Sequence, residues 1–279
     1  MRAEASFGIC SEEPGAFTPM PSDSLPATET VFRAEPYARD CAATVLAATD
    51  DGAIILDRTV FYPTGGGQPG DSGRLIAEDG RVWVVTEAVK GPAPDTIAHR
   101  LAAEGAEAPP PPGLRLTAAL DWDRRHAHMR LHTCLHLLSA IITAPVTGGQ
   151  VGAERARLDF DWPEANLDKQ AITEALNTLI AADHTVTADW ISDAGLDAAP
   201  QLVKTMSVQP PRGAGRVRLI RIGGGNGDAD GDQAMPAHVD LQPCGGTHVA
   251  RTGEIGPVEV MKIEKKGRQN RRVVVAFAG

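Results

Sequence analysis

The sequence predicts an α+β protein: a small N-terminal β-barrel-like unit, then an α+β domain whose antiparallel or mixed sheet is packed by helices. Three observations predict it. Between residues 43 and 120, short apolar or alternating runs are separated by turn-forming clusters. One long helical stretch then opens at Asp121, and after it helix and strand candidates follow one another to the C-terminus. A chain of 279 residues is long enough for one large core or two modest ones.

Residues 1–30 are rich in Pro, Ser, Glu and Ala without a sustained period, and read as a mobile tail. In the β-rich segment (31–120), strands are expected at Ala43–Ala47, Ala53–Asp57, Arg74–Ala77, Arg81–Ala88 and Leu114–Leu120. Asp-Asp-Gly, a glycine cluster, Glu-Asp-Gly and Pro109–Pro112 punctuate them. In the second unit (121–279), Asp121 offers an N-cap and Trp122–Ala144 reads as one helix ended by Pro145. A second helix is expected from an Asp168 cap to about Ala182. Strands are expected at Arg155–Phe160, Thr185–Asp189, Arg216–Ile222, Ile255–Ile263 and Arg272–Phe277. The acidic Gly223–Asp232 insert lacks the glycine and glutamate of a calcium loop and reads as a plain loop.

Net charge −9 argues against a general nucleic-acid binder, DNA included, that relies on bulk positive charge, although a local basic face is still compatible. Four scattered cysteines (Cys10, Cys41, Cys134, Cys244) make no disulfide framework and fit a reducing compartment. No stretch has the character of a signal peptide or a membrane span, so a soluble cytoplasmic protein is expected.

Two pieces carry the chemistry: His132-Thr-Cys-Leu-His136 and Cys244-Gly-Gly-Thr-His248. Each offers two borderline-soft ligands four positions apart, and together they form a set suited to zinc. On a helix such residues stand about 40° apart around the axis, one turn above the other. His128 stands one turn before His132, so helix geometry leaves the 128/132 and 132/136 pairs both open. Position 133 is Thr, so the glutamate base of an H-E-x-x-H peptidase is missing.

Met129–Leu138 and Gln242–Val249 together resemble the editing domain shared by alanyl-tRNA synthetases and freestanding alanyl-tRNA editing proteins. Phe61-Tyr-Pro-Thr-Gly-Gly-Gly-Gln-Pro-Gly-Asp-Ser-Gly73 resembles the glycine-rich motif of that family's β-domain, as in its medium-length freestanding form. The likeness spans roughly residues 31–279. It implies that His132, His136, Cys244 and His248 bind zinc. The implied activity is trans-hydrolysis of the ester joining serine, or glycine, to a tRNA for alanine, sparing the alanyl ester. Nothing resembles an aminoacylation core. Cys134, between the two histidines, stands where a small residue is expected and is a candidate for oxidation or competing ligation.

For that reaction Thr64 is the expected reader of the substrate hydroxyl, with Gln68 and Gln242 as orienting groups. Gly65, Gly66 and Gly67 are expected to wall the pocket, and Asp71 to form a turn. Glu264–Arg272 is the densest basic stretch. Its Lys265, Lys266 and Arg268, with Arg130 on the helix and its neighbours Arg124 and Arg125, are expected to face mischarged tRNA(Ala). Two other readings compete: a non-catalytic, zinc-stabilised tRNA-binding module, and an editing enzyme for mischarged tRNA(Thr).

Overall fold

The computed structural model describes residues 25–103, 108–164, 166–206, 215–224 and 238–279. The chain opens with β1 (Glu29–Thr30) and a one-turn helix α1 (Val31–Ala34). The strands β2 (Asp40–Ala48), β3 (Ile54–Leu56), β4 (Arg58–Thr59), β5 (Gly73–Ala77), β6 (Val82–Lys90), β7 (Ile97–Leu101) and β8 (Arg115–Leu120) follow. Six of them close an antiparallel barrel in the order β2-β3-β7-β6-β5-β8, and β1 pairs in parallel with β4. Alternation decides the inside: Val45, Leu75, Trp83, Val85, Leu116 and Ala118 point into one core with Phe61 and Leu56.

The second half contains α2 (Trp122–Ile141), β9 (Val146–Gln150), β10 (Arg155–Asp161), α3 (Lys169–Ala181), β11 (Val186–Ser192), α4 (Asp193–Ala198), β12 (Arg216–Ile222), β13 (Asp240–Pro243), β14 (Val258–Lys266) and β15 (Asn270–Phe277). Its strands form two antiparallel sheets, β14-β15-β10-β9 and β11-β12-β13. Helix α2 is the hub of the core. Met129, Leu131, Leu135 and Leu138 share one cluster with Phe160, Val273 and Val275 of the larger sheet and Ile220 and Ile222 of the smaller. Twelve of its residues are buried, Arg125 and every residue from His128 to Ser139 except Arg130, as befits a helix covered on most sides. No helix among the described residues is long and apolar enough to cross a membrane.

The expected elements are present with shifted ends, and some were not anticipated. Asp121 caps α2 by accepting from Arg124 N, but the helix ends at Ile141, short of Ala144. Asp168 caps α3 through Gln170 N and Ala171 N. The strand expected from Ile255 begins at Val258, because Thr252–Ile255 forms a 3₁₀ turn closed by Gly256 at φ 70°. β7, β9, β13 and α4 were not read from the sequence; β9 (Val-Thr-Gly-Gly-Gln) is disguised by its glycines. Residues 25–30 are not part of a mobile tail, since Leu25 packs on the barrel side and Thr28 Oγ1 donates to Leu56 O at 3.0 Å. Residues 1–24, with Cys10, and most of the acidic insert lie outside the described residues.

A buried ion pair ties α2 to the barrel. Arg125 Nε donates to Asp71 Oδ2 at 2.8 Å, Arg125 Nη2 reaches the same carboxylate, and Nη2 also donates to Val60 O. Asp71 in turn accepts from Tyr62 N at 2.7 Å. Asp71 is thus an internal counter-ion rather than only a turn residue, and Arg125 is buried away from any partner's surface.

Candidate metal centre and active site

The metal-ligand positions converge from two elements. The α2 spacing stacks His132 and His136 one turn apart, and β13 delivers the Cys-Gly-Gly-Thr-His loop against them. The ligand atoms of His132, His136, Cys244 and His248 all lie within 4.8 Å of one another. His128 stays outside this group, buried with Nδ1 unpartnered and held by burial down at about 4. The structure therefore brings together the 132/136 pair, not 128/132.

Each ring is aimed by the nitrogen facing away from the cluster. His132 Nδ1 donates to Gln68 Oε1 at 2.8 Å and His136 Nδ1 to Asp240 Oδ2 at 2.8 Å. His248 Nδ1 lies 3.2 Å from Thr133 Oγ1, whose own proton goes to Met129 O. Every Nδ1 being used, the Nε2 atoms are left for the centre, the arrangement of metal-bound imidazoles. Cys244 Sγ lies 3.5 Å from His132 Nε2 and 3.3 Å from His248 Nε2. A zinc ion with ordinary Zn–S and Zn–N bonds separates its tetrahedral ligands by about 3.5 Å, so this donor set fits it.

The charges fit as well. Burial alone would raise the Cys244 thiol, but His132 and His248 outweigh it and hold it well below its ordinary value. Burial and the neighbouring His132 depress His248 to about 3. For His136 burial opposes charging, yet Asp240 and Cys244 overcome it and raise the imidazole to about 9, so a metal there competes with a proton. Asp240 is held at about 2 by His136 and Lys204, against the burial that would raise it.

Behind the ligands stands a polar shell. Gln68 Oε1 also accepts from Thr247 N at 3.1 Å, and its Nε2 donates to Thr247 Oγ1 at 2.8 Å. Asp240 accepts from Lys204 Nζ at 2.5 Å and from Gln242 Nε2 at 2.8 Å; Gln242 also reaches Ser139 Oγ. Gln68 and Gln242 are accordingly positioning residues for the ligands. Asp240, Thr133 and Lys204 were missed in the sequence. Asp240 and Gln242 alternate along β13, with Cys244 two positions on, just past its end, and that period of two is the signal which points to Asp240.

The glycine-rich loop is a tight hairpin. Gly65 N and Gln68 N donate to each other's carbonyls at 3.0 Å, across Gly66 and Gly67 at φ 57° and 81°. It has a partner: Gly67 O accepts from Val151 N at 2.8 Å, and a Cβ on Gly67 would meet Gly149 O at 2.8 Å. The loop thereby carries Gln68 from the barrel to His132. Gly246 is required by contact rather than by φ, since a Cβ there would lie 2.2 Å from the His132 ring. Arg218 fixes the same loop, its Nη1 donating to Cys244 O at 3.0 Å and Gly246 O at 2.8 Å.

Other expected site residues stand elsewhere. Thr64 Oγ1 donates to Glu87 Oε1 at 2.5 Å and accepts from Gly70 N at 2.7 Å, so its hydroxyl is committed within the barrel loop. Arg130 is a structural tie, not a free cation: Nε and Nη2 donate to Ile255 O at 2.9 and 2.7 Å, and the guanidinium lies over Phe277. Arg124 Nη1 donates to Gly70 O. Lys265, Lys266 and Arg268 sit exposed at the β14–β15 hairpin, where Lys266 lies 3.5 Å from Glu264. Cys134 is core, fully buried among apolar neighbours, with its thiol pushed up to about 12, and it is not among the cluster's ligand residues.

Comparisons with known proteins agree in direction. The family described as threonyl and alanyl tRNA synthetase second additional domain matches residues 217–274, and that of tRNA synthetases class II (A) matches residues 29–124. The chain is 33% identical over 258 residues to the alanyl-tRNA editing protein AlaX-M of Methanosarcina acetivorans, covering 88% of this chain and 97% of that protein. It is 34% identical to its counterpart in Methanosarcina barkeri, with 88% and 97% covered. The alanine–tRNA ligase of Pyrobaculum arsenaticum is 32% identical over 249 residues, which are 86% of this chain but 26% of that enzyme.

Proposed function

The chain belongs to the family of alanyl-tRNA editing proteins, and from that premise we propose that it is a trans-acting, zinc-dependent deacylase of mischarged tRNA(Ala). The substrate is the seryl ester, with glycyl as a second, and alanyl-tRNA is spared. The observation that carries this reading is the set of three imidazoles with every Nδ1 tethered outward, around one thiol held well below its ordinary value. A bound zinc ion supplies a Lewis acid beside the ester.

The chain's own residues supply the rest. Gln68, Asp240 and Thr133 hold the three rings in one tautomer and orientation, so little reorganisation is needed when charge develops. Lys204 balances the buried Asp240 carboxylate. Gly66 and Gly245 each have no atom within 4 Å of where a side chain would begin, so neither backbone is covered there. Lys265, Lys266 and Arg268 offer phosphate contacts to the body of the tRNA. We expect a cytoplasmic protein with a β-domain over 31–120 and a deacylase domain over 121–279.

The test is deacylation of seryl-, glycyl- and alanyl-tRNA(Ala), and of seryl-tRNA(Thr), by protein before and after chelation. Loss of seryl-tRNA(Ala), and second to it glycyl-tRNA(Ala), dependent on restored zinc, is expected, with alanyl-tRNA(Ala) and seryl-tRNA(Thr) spared. His132→Ala and Cys244→Ala should lose zinc and turnover together; full zinc retention in both would refute the ligand assignment. The closed four-donor set favours one other reading, a zinc-stabilised binding module, and absence of turnover by folded, zinc-loaded protein would select it. Because the Thr64 hydroxyl is occupied by Glu87 and Gly70, Thr64→Val should keep the serine-to-alanine ratio; a collapse of that ratio would return Thr64 to the role of hydroxyl reader.

A further inference from the structure

Residues 31–39 run across the molecule beside the metal cluster and expose Arg33, Tyr37 and Arg39. At one end, Phe32 packs edge-on against Tyr62 with centroids 5.6 Å apart, and Arg33 lies over the Phe32 ring. Arg33 and Arg218 are near enough to Tyr62 and to each other for their charges to interact. Arg218 itself holds the carbonyls of Cys244 and Gly246. At the other end, the Tyr37 hydroxyl accepts from Ala250 N at 2.7 Å, two residues past His248, and donates to Glu254. The Tyr37 ring meets Trp122 with centroids 5.6 Å apart, and the Arg39 guanidinium lies over the Trp122 ring, 4.8 Å from its centroid. His126 stacks on Trp122 at 5.4 Å and 12°.

Among the described residues Tyr37 and Trp190 are the exposed aromatics, each 40% exposed, and only Tyr37 is bonded to the loop that carries His248. Glu35 within the segment and Asp40 just after it balance the two arginines, so residues 31–40 carry no net charge. The surface therefore offers stacking planes and two guanidinium groups rather than bulk positive charge. A flat, pre-positioned guanidinium beside an open phenol ring suits unpaired bases joined by phosphates. Trp122 stands ten residues before His132 on one helix, about 15 Å along its axis.

We propose that Arg33, Tyr37 and Arg39, backed by Trp122, form the track that seats the single-stranded 3′ end of tRNA. Arg33, with Arg218, takes the phosphate nearest the metal cluster; Arg39 and Tyr37 stack a base a few nucleotides back. The track rests on the editing reading above and supplies the placement of its substrate.

The test is fluorescence-anisotropy binding of an uncharged tRNA(Ala) acceptor minihelix, titrated with salt. The exposed pair Arg33→Ala/Arg39→Ala should raise Kd at least tenfold and make the log–log salt slope shallower by about 0.7, for the one phosphate contact of Arg33 lost from a single strand. Zinc content and the urea midpoint should be unchanged in it. Tyr37→Leu should raise Kd about fivefold or more with the slope unaltered, while Tyr37→Phe, which removes the same hydroxyl bonds but keeps the ring, should bind as wild type. Unchanged Kd and slope in the arginine pair overturn the track, as does Tyr37→Phe falling as far as Tyr37→Leu. Binding is read without turnover. Failure of wild type to hydrolyse seryl-tRNA(Ala) would sink the editing reading and leave these differences standing.

Discussion

Asp240 shows how the aim of a cluster imidazole is decided by the residue behind it. Its carboxylate takes the Nδ1 proton of His136 and is itself held by Lys204 and Gln242. Without that acceptor the His136 ring loses both its tautomer preference and its aim. Asp240→Asn should weaken zinc affinity by about 10–100-fold while the four ligands stay in place. Competition with a chromogenic chelator reads this directly, and an unchanged affinity would show that Asp240 serves only Lys204. Gln68 plays the same part for His132, but its chain position is 64 residues away. That distance is why its role was legible only as a general orienting group.

At the scale of elements, the site exists because α2 is fastened to the barrel loop. The Arg125–Asp71 pair is fully buried, and Asp71 also holds Tyr62 N. Removing one partner leaves a buried charge uncompensated, which costs about 3–5 kcal/mol. Asp71→Ala should lower stability by that order in urea denaturation, and Asp71→Ala/Arg125→Met should recover part of it. Equal stability of the single and double variants would remove the pair from this role. The same logic governs the hairpin: Gly66 and Gly67 at positive φ make the turn, and Gly67 meets β9 too closely for a side chain. The glycine run is thus both a tight turn and a close-approach device.

At the scale of the molecule, acid sensitivity should arise in the barrel as well as at the metal cluster. His99 is fully buried, with its ring edge-on to Phe61. Its Nδ1 lies 2.8 Å from Ile54 O and its Nε2 2.8 Å from Thr59 Oγ1. Burial lowers it from 6.5 to about 4. The unfolded chain therefore binds the extra proton first. Stability contributed by the neutral ring is complete above about pH 6.5 and is lost as pH falls toward 4, about 3 kcal/mol in all. Urea midpoints at pH 7 and pH 5 should differ by more in wild type than in His99→Gln; an equal drop would place the acid sensitivity elsewhere.

The sequence by itself determined what local pattern and chemistry can carry. Alternation marked most barrel strands, Asp121 and Asp168 marked the starts of both long helices, and two pairs of ligand-type residues four positions apart marked the side chains that converge in one cluster. These signals are short-range, so they survive in one dimension. Only the tertiary structure decided what depends on distant partners. It set His132/His136 apart from His128, turned Gln68, Gln242 and Asp240 into supports for the ligands, and withdrew Arg130 and the Thr64 hydroxyl into internal contacts. It also placed Cys134 in the core and divided the second unit's strands between two sheets around α2. The physical reason is the same in each case. A side chain's role is set by the hydrogen-bonding and apolar groups that burial brings against it, and those groups come from tens to more than a hundred residues away.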